Sequence, residues 1–205
     1  MCTETVRRGV FMAAVAGCMI QAASAEVVCG WNFNSIDREA TSVSADHGTG
    51  LLDLTAIQDS NAVFEGTGLN AYEKDAAGTA IGIRGLGANG KWVELVFSAD
   101  GPMELTFAYR ATPSGFDENQ VMLLEGDDWI TVGSFGGAEA DGSWHEQMLV
   151  LPERKGDTRL RLLVDGAESS SGTIRFDNLR VQAVSAPSAL LACGTGCMVL
   201  RQRRR

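Results

Sequence analysis

The sequence predicts an all-β fold in which two antiparallel sheets pack face to face. Three observations lead there. Apolar residues alternate with polar ones, Gly and Asp clusters punctuate the alternating runs, and the body carries no amphipathic helical repeat. In MELTFAYR, Met103, Leu105, Phe107 and Tyr109 fall on one face, and Glu104, Thr106, Ala108 and Arg110 on the other. In TRLRLLVD, Leu160, Leu162 and Val164 alternate with Arg159, Arg161 and Leu163. A period of two with one wet face is the pattern of a half-buried antiparallel strand.

Taken in order, EVVCGWNF opens the body as a strand, with Cys29 a small buried residue rather than a reactive thiol. Residues 35–90 are rich in Gly, Ala, Asp and Asn, with short apolar pieces such as LLDLTAI and TAIGIRG; a few short strands joined by longer loops are expected there. WVELVFS and MELTFAYR follow as two strands separated by the turn SADGP. EGDDW is a hairpin turn, in which Asp and Gly satisfy turn geometry. WHEQMLVLP and TRLRLLVD are two more strands, and TIRFDNLRVQAV closes the series at about nine or ten strands. Strands at both ends suit a jelly roll, whose first and last strands lie side by side, so the fold class is an antiparallel two-sheet jelly-roll sandwich. A closed up-and-down barrel is the alternative.

The ends stand apart from this body. Residues 1–25 combine two arginines (Arg7, Arg8), an apolar run over 9–20 and the small residues Ala23 and Ala25. That is the pattern of a secretory signal peptide, cut by signal peptidase after Ala25. The alternative is a lipobox at Val15-Ala16-Gly17-Cys18, with lipid on Cys18. Residues 185–205 hold an apolar run over 189–200 followed by Arg201, Arg203, Arg204 and Arg205. The run is short against the roughly 20 residues of a relaxed membrane-spanning helix, and the arginines would be held on the cytoplasmic side. Residues 26–184 therefore form the one globular domain, expected in a chain exported to the cell surface. Without its ends the chain keeps 25 acidic and 11 basic residues, a net of −14. Such a surface repels phosphate backbones, which excludes nucleic acid as a partner. Of five cysteines only Cys29 lies in this body, so the domain is held by its apolar core and not by a disulfide of its own.

GWNFN, VELVFS, ELTFAYRATPSGF, EGDDWITVGSF, DGSWHEQMLVLP, RLRLLVDGAESSSG and IRFDNLRVQA form an ordered series. Together with the tail, that series resembles exported bacterial surface proteins. Those place a jelly-roll domain, similar to carbohydrate-binding modules, before a PEP-CTERM-type sorting signal. The resemblance implies tail recognition by an exosortase-like enzyme around Pro187 and the terminal Arg201 and Arg203, with transient membrane anchoring. This tail reads Ser185-Ala186-Pro187-Ser188 where such signals carry Pro-Glu-Pro.

Chemistry is sparse. His47 and His145 are the two histidines, no GxSxG elbow is present, and no E-x-D-x-x-E run supplies the paired carboxylates of a glycosidase. No catalytic residue is therefore assigned. In the last strand Ile174 and Phe176 share one face but Leu179 and Val181 the other, so the alternation slips at Asp177-Asn178, which marks a bulge. Asp177 then points to the sandwich edge. Similar carbohydrate-binding jelly rolls hold a structural calcium at such a position, which would make Asn34 or Asp37 its partners here. The competing reading is that Asp177 and Asn178 bond their own bent backbone. Large aromatics in a sandwich belong mostly to its core. Trp129, beside the Asp127 turn, is the one expected to show a ring face, with Tyr72 and Phe116 in loops as further ligand contacts. The leading expectation is a non-catalytic module binding polysaccharide or extracellular matrix. A purely structural coat protein and a sandwich-fold glycan hydrolase are the alternatives.

Overall fold

A computed structural model describes residues 26–184. The signal-peptide and sorting-tail assignments, with Ala25, Pro187, Arg201 and Arg203, lie outside the described residues. Among the described residues no helix is long and apolar enough to cross a membrane. Eleven strands alternate with three short 3-10 turns: β1 (Val27–Trp31), β2 (Ser42–Ser44), β3 (His47–Gly48), β4 (Gly50–Asp53), β5 (Asn61–Glu65), β6 (Thr79–Arg84), β7 (Lys91–Ala111), β8 (Glu118–Glu125), β9 (Asp128–Gly136), β10 (His145–Val164) and β11 (Thr173–Ala183). All strand pairs are antiparallel. The ladder runs from β3 to β9 without closing, so the described residues form an open sandwich and not a barrel.

One expectation is corrected. WVELVFS and MELTFAYR are not two strands but one, the 21-residue β7, and WHEQMLVLP and TRLRLLVD likewise form the 20-residue β10. These two strands pair with each other from His145 opposite Tyr109 to Val164 opposite Lys91, with one register shift between Leu151 and Arg154. The SADGP and ERKGD clusters face each other in that ladder. Gly101 takes φ 114° and Gly156 φ 85°, values that L side chains rarely adopt. Glycine on both strands at the same level therefore bends the ribbon instead of reversing the chain.

The bend lets one ribbon serve both layers. In the first layer, the early part of β10 and the late part of β7 continue into β11, whose outer edge carries β6 on one half and β1 on the other. In the second layer, the early part of β7 pairs β4, and the late part of β10 pairs β8, which forms a hairpin with β9 across Gly126 and Asp127 as the sequence predicts. Between the layers Leu105, Phe107, Ile174 and Phe176 meet Val93, Leu95, Val121, Leu123, Leu160 and Leu162, all buried. Phe107 stacks edge-on to Phe135 at 5.0 Å and to Phe176 at 6.0 Å, a preferred aromatic geometry.

Two local expectations hold. The slip in β11 is a bulge, with the register against β7 shifting between Asp177 and Arg180 and with Asn178 at φ 48°. Asparagine tolerates that left-handed backbone, and the extra residue turns both Phe176 and Leu179 into the core. First and last strands pair, and the Ala183 N–H donates to the Glu26 carbonyl at 2.8 Å, so both ends of the domain sit at one edge. Cys29 is fully buried and burial pushes its thiol up to about 12. Native protein at pH 8 is therefore expected to resist thiol-specific alkylation at Cys29, with labelling appearing only in denaturant; mass spectrometry of both samples checks this.

Candidate functional site

The outer face of the second layer is built by strand alternation. Val93 and Leu95 turn inward on β7, which turns Trp92 and Glu94 outward; Leu160 and Leu162 do the same for Arg159 and Arg161 on β10. The register sets Glu94 directly opposite Arg161 and Trp92 opposite Leu163. Across β8, Trp129 on β9 lies opposite Leu124 and reaches back over the same arginine. The guanidinium of Arg161 is thus held between two indoles, 4.1 Å from the Trp92 ring and 3.7 Å from the Trp129 ring.

Beneath this stack Glu94 is only 3% exposed although it points away from the core. Arg159 Nε donates to its Oε1 at 2.6 Å and Arg161 Nε to its Oε2 at 2.9 Å, so both carboxylate oxygens are occupied by charged donors. A buried carboxylate without such partners would be costly; here it pins the two arginines and, through Arg161, the two indoles. The same face carries the partly exposed Met122, Leu124 and Leu163, and Thr131 donates to Gln120 Oε1 at 2.7 Å. The result is a rigid platform of two half-exposed indoles around a fixed hydrogen-bond donor.

No protein-family model matches the chain, and no curated protein matches it. Similar solved structures include the CBM22-1 xylan-binding domain of Paenibacillus barcinonensis Xyn10C, at 12% identity over 81% of this chain and 99% of that chain, with a TM-score of 0.48. A cleaved adhesin domain of Lys-gingipain from Porphyromonas gingivalis matches at 13% identity over 63% of this chain and 94% of that one, with a TM-score of 0.39. A family 6 carbohydrate-binding module from Clostridium cellulolyticum in complex with xylose also matches at 13%, over 62% of this chain and 88% of that one, at 0.39. Likeness at this level carries no functional argument, so what this chain binds must be read from its own side chains.

Of the three predicted ligand contacts, Trp129 stands in the platform. Tyr72 does not: it lies in the 66–78 loop against the His47 ring, 4.8 Å between centroids, with the Arg180 guanidinium 5.5 Å from its ring. Phe116 is corrected outright, since it is fully buried and only its carbonyl is engaged, by Asn119 Nδ2 at 2.9 Å. Trp92, Arg161 and Glu94 are the platform residues that sequence reasoning missed. Their outward phase is legible in each strand, but their neighbours depend on cross-strand register. His47 Nε2 is 2.7 Å from Asp75 Oδ2, and His145 Nε2 is 3.0 Å from Asp141 Oδ1. A groove of about 610 Å³ adjoins the platform through Gln120, between Glu118 on β8, Ser134 on β9 and Gln147 on β10.

The calcium candidates are spent on backbone. Asp177 Oδ2 accepts the Thr67 N–H at 2.6 Å and its Oδ1 the Asn178 N–H at 2.8 Å. Asn34 Oδ1 accepts the Thr79 N–H at 3.1 Å, and Asp37 Oδ1 that of Glu39 at 3.0 Å. Donors aimed at all three side chains are what carboxylates and amides need from a bent chain, and they occupy the oxygens a cation would use. Among the described residues no three His, Cys, Asp or Glu side chains cluster as a metal site. The residues do not fit a calcium site; Asp177 and Asn178 instead clamp the 66–78 loop, with Asn178 Nδ2 donating to the Thr67 and Leu69 carbonyls at 2.7 and 2.8 Å.

Burial pushes the Asp177 carboxyl up to about 7, against the two N–H bonds that pull it down. Because the folded chain then binds this proton more tightly than the unfolded one, the contribution to stability is complete below about pH 4 and is lost as pH rises to about 7. Asp177→Asn is expected to gain stability relative to the parent chain between pH 4.5 and pH 7.5. Urea unfolding of both proteins across that range checks the slope, and EGTA is expected to leave both melting temperatures unchanged.

Proposed function

We propose that residues 26–184 form a non-catalytic polysaccharide-binding module and that the Trp92–Arg161–Trp129 platform is where the glycan lies. The observation that carries this reading is the fixed pair of indoles on an exposed sheet face with a buried carboxylate pinning the cation between them. Pyranose rings present apolar C–H faces that suit indoles, and their hydroxyls suit the Arg161, Gln120 and Thr131 groups. Pre-organisation matters because a flat site gains affinity by losing little side-chain freedom on binding.

Isothermal titration of the full chain against neutral soluble xylan, galactan and glucomannan tests it. At least one of these is expected to bind, and Trp129→Ala and Trp92→Ala are each expected to weaken that binding by about tenfold or more, the scale of a buried tryptophan contact. Unchanged melting temperatures would show that the variants stay folded. Equal affinity in parent and variants would overturn the platform as the site.

The module is further read as an exported, surface-held one, processed by signal peptidase and by an exosortase-like enzyme. The charge pattern of residues 1–25 and 185–205 supports this, and the bond between Ala183 and Glu26, which brings the two ends of the described domain together, is consistent with it. Mass spectrometry of protein recovered from its native host is expected to show a mature chain beginning at Glu26 and lacking the terminal arginines. An intact arginine end in a membrane fraction would instead identify a plain membrane anchor.

A further inference from the structure

The opposite face of the sandwich carries a different set of groups. On β7 the outward residues are Glu104, Thr106, Ala108 and Arg110; on β11 they are Arg175, Asp177, Arg180 and Gln182. Several of these are internally matched. Gln182 Nε2 donates to Glu104 Oε1 at 2.8 Å, Asp177 is covered by the 66–78 loop, and Arg180 donates to Asn70 Oδ1 at 3.1 Å. Arg110 and Arg175 are not. They are direct cross-strand partners, a placing in which like charges repel.

No carboxylate among the described residues forms an ion pair with either arginine. The Nε atoms of both are buried without a hydrogen-bond partner. Arg154, Arg159 and Arg161 each meet a glutamate, whereas Arg180, whose Nε is likewise without a partner, is bonded through its Nη2 to Asn70. The domain holds 25 carboxylates to 11 cationic side chains, so unpaired arginines are not forced by composition. Burial holds the Arg175 guanidinium below the usual arginine range, Arg110 adds to that, and Glu65 opposes it. Arginine stays charged regardless, so the repulsion cannot be relieved by losing a proton.

The surroundings of Arg175 supply an apolar wall. Gly82 is its partner on β6 and offers no side chain, which lets the Phe64 ring lie across it; a Cβ at Gly82 would collide with that ring. The Phe64 ring then sits 4.1 Å from the Arg175 guanidinium and holds it in place. Two forks side by side, one of them held against an aromatic plane, with Nε donors unused, match a two-oxygen anion carried on a ring.

We infer that Arg110 and Arg175 form a second glycan site, on the sheet opposite the tryptophan platform, which takes the carboxylate or sulfate group of an acidic polysaccharide. The choice of a saccharide polymer rests on the module reading above, whereas the anion preference rests on the two arginines alone. The net negative body does not forbid this. At physiological salt, charges beyond about 8 Å are largely screened, so the local pair dominates what approaches it.

The test uses the full chain with four probes: polygalacturonate, dextran sulfate, neutral xylan and poly-L-glutamate. Arg110→Gln and Arg175→Gln keep a polar side chain with two N–H donors while removing the charge and the guanidinium fork. One of the two acidic glycans is expected to bind in a salt-dependent way and to lose about tenfold or more in affinity in either variant. Whichever it is identifies the group as uronate or sulfate. Xylan binding and melting temperature are expected to stay level, or the melting temperature to rise as the repulsion is removed. Equal binding of acidic glycans by parent and variants, or none by the parent, overturns the site. Preference for poly-L-glutamate over both glycans also overturns it, in favour of an acidic protein partner. Failure of the parent chain to bind xylan, galactan or glucomannan, with acidic-glycan binding intact and sensitive to the arginine variants, would sink the tryptophan platform and leave this site standing.

Discussion

The pairing of β7 with β10 is the constraint on which the rest of the molecule depends. Each is about 20 residues long, and they hold each other in register from one layer of the sandwich into the other. Every other strand of the described domain is added, directly or through a neighbour, to an edge of this ribbon. The two layers are therefore not separate sheets brought together by apolar contact alone. Their relative placement is set covalently along two strands and by the ladder between them, which carries one register shift and fixes which side chains face inward.

That placement explains why both outer faces are orderly. A two-residue period through a bent ribbon puts Trp92, Glu94, Arg159 and Arg161 on one outside and Arg110 on the other, with no freedom to exchange. On the first, each arginine meets a carboxylate: two arginines close around one glutamate, and the indoles close around one of the arginines. On the second, Arg110 and Arg175 instead confront each other. The same residue type thus acts as scaffold on one face and as unspent donor on the other, and cross-strand neighbours alone make the difference.

The Asp177–Asn178 bulge is the second device of the fold. It restores the inward phase of β11 after one extra residue. Its two side chains also bind the N–H and carbonyl groups of a loop more than a hundred positions away in sequence, the separation being 110 between Thr67 and Asp177. A carboxyl left in so buried a place carries a raised pKa. The fold tolerates this because the loop that buries the group supplies one N–H donor and the bulge itself the other.

Much of the fold was legible along the chain. Alternation identified the strands, the Asp177 slip identified the bulge, and Gly126 with Asp127 identified a hairpin. Each of these is a property of consecutive residues, and a single strand carries its own phase. The SADGP cluster misled because glycine at positive φ is needed equally by a turn and by a bend, and only the partner strand alongside distinguishes them. For Phe116 the obstacle was burial, which a loop residue's neighbours in sequence do not reveal. Trp129 was found from its place beside a turn, but Trp92, Arg161, Glu94 and the Arg110–Arg175 pair were not. The sequence by itself determined which residues point the same way along each strand. The tertiary structure alone decided which of them touch, because contact across a sheet is set by register, a relation between segments far apart in the chain.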